Sequence, residues 1–124
     1  MPNRRTQRIG EEIKRLLGQM LTEGEIKDSR IRNCKGLITI TAVEVVRDLK
    51  YATVYVSVMG GSYRDVIDGF KSASGYLRKL IGENIDLRYT PELIFKEDHS
   101  TEQAIEMSKK IDELKEKEET KSGE

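Results

Sequence analysis

Residues 37–59 read Leu-Ile-Thr-Ile-Thr-Ala-Val-Glu-Val-Val-Arg-Asp-Leu-Lys-Tyr-Ala-Thr-Val-Tyr-Val-Ser-Val-Met. Two runs rich in β-branched side chains, 37–46 and 51–59, flank a short polar break, and each reads as a strand. In the second, Ala52, Val54, Val56 and Val58 alternate with Tyr51, Thr53, Tyr55 and Ser57. One face therefore meets a core and the other meets solvent or a helix. Arg47, Asp48, Leu49 and Lys50 between the runs supply the turn of an antiparallel hairpin.

On the N-terminal side, Ile9, Ile13, Leu16, Leu17, Met20 and Leu21 recur at the spacing of a helix with one buried face. The helix is expected from Asn3 to Thr22, with Gly24 ending it and the i, i+4 pairs Arg8/Glu12 and Glu11/Arg15 on its polar side. Residues 23–36 read as a polar connection. On the C-terminal side, Gly60 and Gly61 break the second strand and Ser62 caps a short helix carrying Val66, Ile67 and Phe70. Ser72-Ala73-Ser74-Gly75 lowers helix propensity, and Tyr76, Leu77, Leu80 and Ile81 resume the stripe, so two helices meeting at a kink are expected, the second capped by Gly82. Leu87 to Lys96 is the third strand, with Pro91 placing it at an edge or at its own start. Ser100-Thr-Glu-Gln103 has the form of a capping box before a last amphipathic helix expected to dock weakly through Ala104, Ser108, Ile111 and Leu114. The order implies an α+β domain of helices over a small three-stranded mixed sheet.

A chain of 124 residues fits one compact domain, here 1–114, with residues 115–124 as a charged flexible tail that contains no aliphatic side chain. No apolar run approaches the length of a membrane span and a single cysteine makes no internal disulfide, so a cytoplasmic protein with no membrane partner is expected. Net charge is zero from 22 basic and 22 acidic residues, but the distribution is uneven. Residues 101–124 hold 5 Lys against 8 acids, which leaves 17 cations against 14 acids in residues 1–100. Every arginine lies at or before Arg88, and arginine suits bidentate phosphate contacts.

Catalytic chemistry is poorly served. His99 and Cys34 are the only residues of their kind and stand 65 positions apart, so a zinc site or a nucleophile–base pair is not expected. Gly60-Gly61-Ser62 lies between strand and helix but lacks the rest of a phosphate-binding loop pattern. No catalytic residue, metal or cofactor is assigned.

The hairpin Val43-Glu44-Val45-Val46-Arg47-Asp48-Leu49-Lys50-Tyr51-Ala52-Thr53-Val54-Tyr55-Val56 resembles that of the ribosome-binding factor A family. Ala73-Ser74-Gly75-Tyr76-Leu77-Arg78, Leu87-Arg88-Tyr89-Thr90-Pro91-Glu92-Leu93-Ile94-Phe95 and Asp98-His99-Ser100 follow that family's order and spacing, so the resemblance covers about residues 3–114. It implies a type II KH-like fold whose Gly-x-x-Gly loop is replaced by an Ala-x-Gly interhelical kink, Ala73-Ser74-Gly75. It also implies a non-enzymatic monomer that binds free small ribosomal subunits and their ribosomal RNA late in assembly, with roles in rRNA processing and cold adaptation. Assembly GTPases are further candidate partners. The rival reading is a protein-interaction adaptor.

The residues themselves offer three candidate RNA contacts. Lys71, Ser72, Ala73, Ser74, Gly75, Arg78 and Lys79 surround the expected kink, where free backbone N–H groups at the start of a second helix attract phosphate. Arg4, Arg5, Arg8 and Arg15 form a second patch on the first helix, and Arg47 and Lys50 a third at the hairpin turn. Tyr51, Tyr55 and Tyr76 are expected to serve core packing rather than base stacking.

Overall fold

A computed structural model describes the backbone of residues 3–122 and, within that range, all side chains except those of 113 and 115–122. The elements are α1 (Arg4–Glu23), α2 (Ser29–Arg32), β1 (Leu37–Val45), β2 (Tyr51–Met59), α3 (Tyr63–Asn84), β3 (Glu92–Glu97) and α4 (Ser100–Ser122). The sheet order is β1-β2-β3, with β1 antiparallel and β3 parallel to the central β2. This is the α+β, KH-like architecture with a mixed three-stranded sheet expected from the sequence.

α1 starts one residue later than expected because Asn3 is its cap, its side chain accepting from the Thr6 amide. It ends at Gly24, whose left-handed φ of 69° lets its amide turn back to the last carbonyls. Ile9, Ile13, Leu17 and Met20 are buried against β1, and at Gly10 the helix backbone lies directly on the Val43 carbonyl. Of the two expected i, i+4 pairs, Arg8–Glu12 forms at 3.4 Å and Glu11–Arg15 is not made.

β2 has the expected bounds, and Ala52, Val54, Val56 and Val58 are all buried. β1 contains a bulge that its sequence conceals: Ile40 pairs with Val56 but Ala42 with Tyr55, so Thr41 is the extra residue. The extra residue shifts the alternation, which turns Ile38 and Ile40 before it and Val43 and Val45 after it to the same core face.

The largest departure lies in α3. A single helix of 22 residues replaces the two expected, and Ala73-Ser74-Gly75 sits inside it rather than between helices. Val66, Phe70, Ala73, Leu77 and Ile81 share one core-facing stripe across the glycine, and the burial of that stripe outweighs the roughly 1 kcal/mol propensity deficit of one glycine. Gly82 is likewise helical rather than a cap, a place taken by Ile85. Phe70, fully buried, stacks on Phe95 of β3 at 5.1 Å between ring centroids.

α2, four residues capped by Asp28, lies in the stretch read as polar connection. β3 begins at Glu92 instead of Leu87, since Pro91 has no N–H for the ladder and residues 85–91 are needed to leave α3. At α4 the Ser-x-x-Gln box is not used. Asp98 accepts from the Ser100 amide instead, and Gln103 bonds back to the His99 carbonyl. Nor does α4 dock: Ile105, Met107, Ile111 and Leu114 are exposed and none of its described side chains is buried. Residues 123 and 124, at the end of the expected tail, lie outside the described residues.

Candidate nucleic-acid interface

The candidate cations fall into two neighbourhoods. The first surrounds Lys71–Gly75 in the middle of α3, facing α2. Ser72 is held by the Arg30 guanidinium at 2.7 Å, and Arg30 is itself clamped to Asp28 by two bonds of 3.1 and 3.0 Å. The guanidinium hydrogen bond holds the Asp28 carboxyl below the usual carboxylate range and keeps Arg30 firmly charged. A shallow depression of about 290 Å³ opens here, lined by Lys27, Asp28, Ser72, Ala73 and Tyr76.

Because α3 is continuous, no second helix start exposes N–H groups at this point, and the phosphate-cradling backbone expected there is absent. Gly75 is also not a crowding site, since a Cβ built on it would meet nothing within 4 Å. What remains at the Ala-x-Gly is an exposed helix face carrying Lys71 and the Tyr76 ring, beside the loop residues Lys27 and Asp28. Tyr76 is 47% and Tyr51 43% exposed, so neither is the core residue expected of it; Tyr55 is half-buried and donates to Glu44.

The second neighbourhood is the end of the body where the hairpin turns. The Lys50 carbonyl accepts from the Glu92 amide at 2.8 Å, which brings the turn bearing Arg47 and Lys50 beside the segment entering β3. Leu49 adopts a positive φ of 62° there, a strain offset by packing of its side chain on the core. Arg78 reaches the same segment from α3, donating to the Thr90 carbonyl at 3.1 Å, and Lys79 follows it on the exposed side. Arg88 lies 5.5 Å from the centroid of the Tyr89 ring. On the α1 side, Arg5, Arg8 and Arg15 line a groove of about 560 Å³ with Asn84, Ile85, Asp86 and Leu87, while Glu12 lines it too and pairs with Arg8. The close approach of Gly10 to Val43 sets the first turns of α1, with Arg4 and Arg5, against the hairpin end of β1.

Thus the fold brings Arg78, Lys79, Arg47 and Lys50 to one end and the α1 arginines beside it, and leaves Lys71–Gly75 apart. Sequence reasoning missed Arg30 and Arg88 as cations and Tyr89 as an exposed ring. The signal was present in the Arg88-Tyr89 pair, a cation beside an aromatic in a segment too close to Pro91 to be strand.

The residues set aside for catalysis have structural partners. His99 is bonded to Glu102 through Nδ1 and to Glu97 through Nε2, each at 3.0 Å, and its ring packs at a tilt of 43° against Tyr63, with 4.1 Å between centroids. The Glu102 bond first and the Glu97 bond second raise its pKa above the ordinary histidine value, and the ring ties the end of β3 to the start of α4. Asp98 is held low by bonds from Thr41, at 2.6 Å, and Ser100. Cys34 is half-buried beside Gly61. Among the described residues no helix is long and apolar enough to cross a membrane.

Residues 5–111 match the family model for ribosome-binding factor A. A ribosome-binding factor A of Clostridioides difficile is 46% identical over 113 residues, covering 91% of this chain and 86% of its own. The fold is shared with the crystal structure of ribosome-binding factor A from Thermus thermophilus, at a TM-score of 0.62 and 22% identity over 74% of this chain and 94% of that one. It is shared too with a homology model of the Thermus thermophilus protein fitted into the cryo-EM map of a 30S complex, at a TM-score of 0.58 and 21% identity over 73% and 91% of the two chains. With an α+β core whose hairpin, α3 and β3 carry the motifs read from the sequence, and with nearly the whole body matched, the chain belongs to the ribosome-binding factor A family.

Proposed function

We propose that this protein is a non-enzymatic maturation factor that binds the free small ribosomal subunit and its ribosomal RNA late in assembly, with the rRNA-processing and cold-growth roles implied by its family. The observation that carries the reading is family membership over residues 5–111, supported by a relative of the same fold that occupies a 30S complex. The hairpin-end cations give the proposal a surface. Phosphate neutralisation there releases counterions, so binding must weaken as salt rises.

Co-sedimentation of the purified protein with free small subunits at low and moderate salt tests this. Lys79→Glu is the cleaner probe of the surface, because Arg78 also holds Thr90; the double reversal of Arg78 and Lys79 adds the second charge. Each lost phosphate contact should flatten the dependence of log K on log salt by about 0.7–0.9. A well-folded double variant with the parental slope would move the RNA surface to Arg4, Arg5, Arg8 and Arg15. One observation favours the adaptor reading beside it: the exposed stripe of Met107, Ile111 and Leu114 on α4 suits a protein contact. Binding to small subunits that is insensitive to salt would select that reading instead.

We further propose that the binding domain is residues 1–114 and that 115–124 act as a separate charged tail. The neighbouring described part of α4 is exposed, and residues 115–124 hold no aliphatic side chain with which to build a core contact, which supports this reading. Truncation after Leu114 should leave the melting temperature within about 2 °C, below the roughly 4 °C that 1 kcal/mol is worth in a domain of this size. A larger drop would show that the tail packs on the body.

A further inference from the structure

Tyr89 is 71% exposed, more than any other aromatic side chain, while the residues that follow it are held to the body. Arg78 binds the Thr90 carbonyl at 3.1 Å, and the Thr90 hydroxyl lies so close to the α3 backbone that a Cβ on Gly82 would come within 2.9 Å of it. Pro91 is buried, and the Glu92 amide is bonded to Lys50. A large ring is thus presented to water from a turn anchored immediately after it, at residues 90–92. Ordering it on binding costs little conformational entropy, which is the property of a pre-organised contact.

Its surroundings select the ligand. The Arg88 guanidinium lies 5.5 Å from the ring centroid, and the turn sits between the α3 cations Arg78 and Lys79 and the hairpin cations Arg47 and Lys50. A flat π surface flanked by cations matches a nucleotide in which base and phosphate are both accessible. A-form duplexes keep their bases stacked inside, so only an unpaired base can reach the ring.

We infer that Tyr89, braced by Arg88, stacks on an unpaired base of the RNA that this protein binds. The inference rests on the RNA-binding reading above and adds to it a preference for single-stranded over duplex segments at this turn. Stacking needs the ring and not the hydroxyl, so phenylalanine substitutes and alanine does not.

The test measures fluorescence anisotropy of a fluorescein-labelled single-stranded decaadenylate and of an RNA duplex of equal length, at one low salt concentration, for the parent, Tyr89→Phe and Tyr89→Ala. Co-sedimentation with small subunits runs in parallel, and thermal melts verify folding. Tyr89→Ala should weaken single-strand binding roughly 5- to 100-fold, Tyr89→Phe should stay within about twofold of the parent, and duplex binding should be equal in all three. Equal single-strand affinity for parent and Tyr89→Ala would overturn the inference, as would a parent that sediments with small subunits but ignores the decaadenylate; both leave the ribosomal reading standing. A parent that fails to sediment with small subunits would overturn the two together.

Discussion

Truncating Phe70 to alanine is expected to destabilise the domain by about 3–5 kcal/mol. The side chain is fully buried, and its ring stacks on Phe95 with an interplanar angle of 20°, so it is the main apolar join between α3 and β3. The hole left behind is walled by two rigid elements that cannot easily close on it. Against a total stability of about 5–15 kcal/mol for a domain of this kind, such a loss brings unfolding into reach at growth temperature. Urea unfolding followed by far-UV circular dichroism measures it. A loss below about 1 kcal/mol would mean that the stack contributes little and that α3 is held elsewhere.

Gly10→Ala pits two known effects against each other. Alanine is favoured over glycine in a helix interior by about 1 kcal/mol. The new Cβ, however, would stand 2.5 Å from the Val43 carbonyl oxygen, a backbone atom fixed in the β1–β2 ladder. Either α1 lifts from β1 or the strand moves, and overpacking of this kind costs about 1–3 kcal/mol, more than the propensity gain when the clash is with fixed backbone. Gly18→Ala in the same helix meets nothing within 4 Å and should gain about 0.5–1 kcal/mol. Thermal melts of the two variants should therefore move in opposite directions, by about 4 °C per kcal/mol. A Gly10→Ala variant melting above its parent would refute the close seating of α1.

The strength of each element's periodicity decided how well the sequence spoke for it. β2 alternates cleanly and has the bounds expected; α1 differs by a residue because a cap was counted as helix. In α3 the spacing of Val66, Phe70, Ala73, Leu77 and Ile81 describes one stripe, and its burial overrides the local break that a glycine at 75 suggests. The bulge at Thr41 was illegible, because register is a property of two strands and β1 alone contains no sign of where its partner slips. α4 is a helix as its sequence implies, but whether its apolar residues find a surface depends on where β3 ends and how Asp98 and His99 direct the chain away. The same limit governed the candidate interface. Cations could be counted, but their gathering at the hairpin end follows from the parallel placement of β3, which sets Glu92 against Lys50.

The mixed sheet also imposes an order on folding. β2 meets β1 across residues 46–50 but meets β3 only after residues 60–91. Chain-closure entropy scales with the logarithm of the intervening length, a difference of about 1.7 kcal/mol against the second pairing. Hairpin formation takes microseconds, whereas β3 must wait for α3 to lie down over the sheet. Last to join, β3 is the edge that can open by itself while the hairpin stays zipped. The turn at 88–90 and the root of α4 flank that strand, so its pairing with β2 is what holds both of them in place.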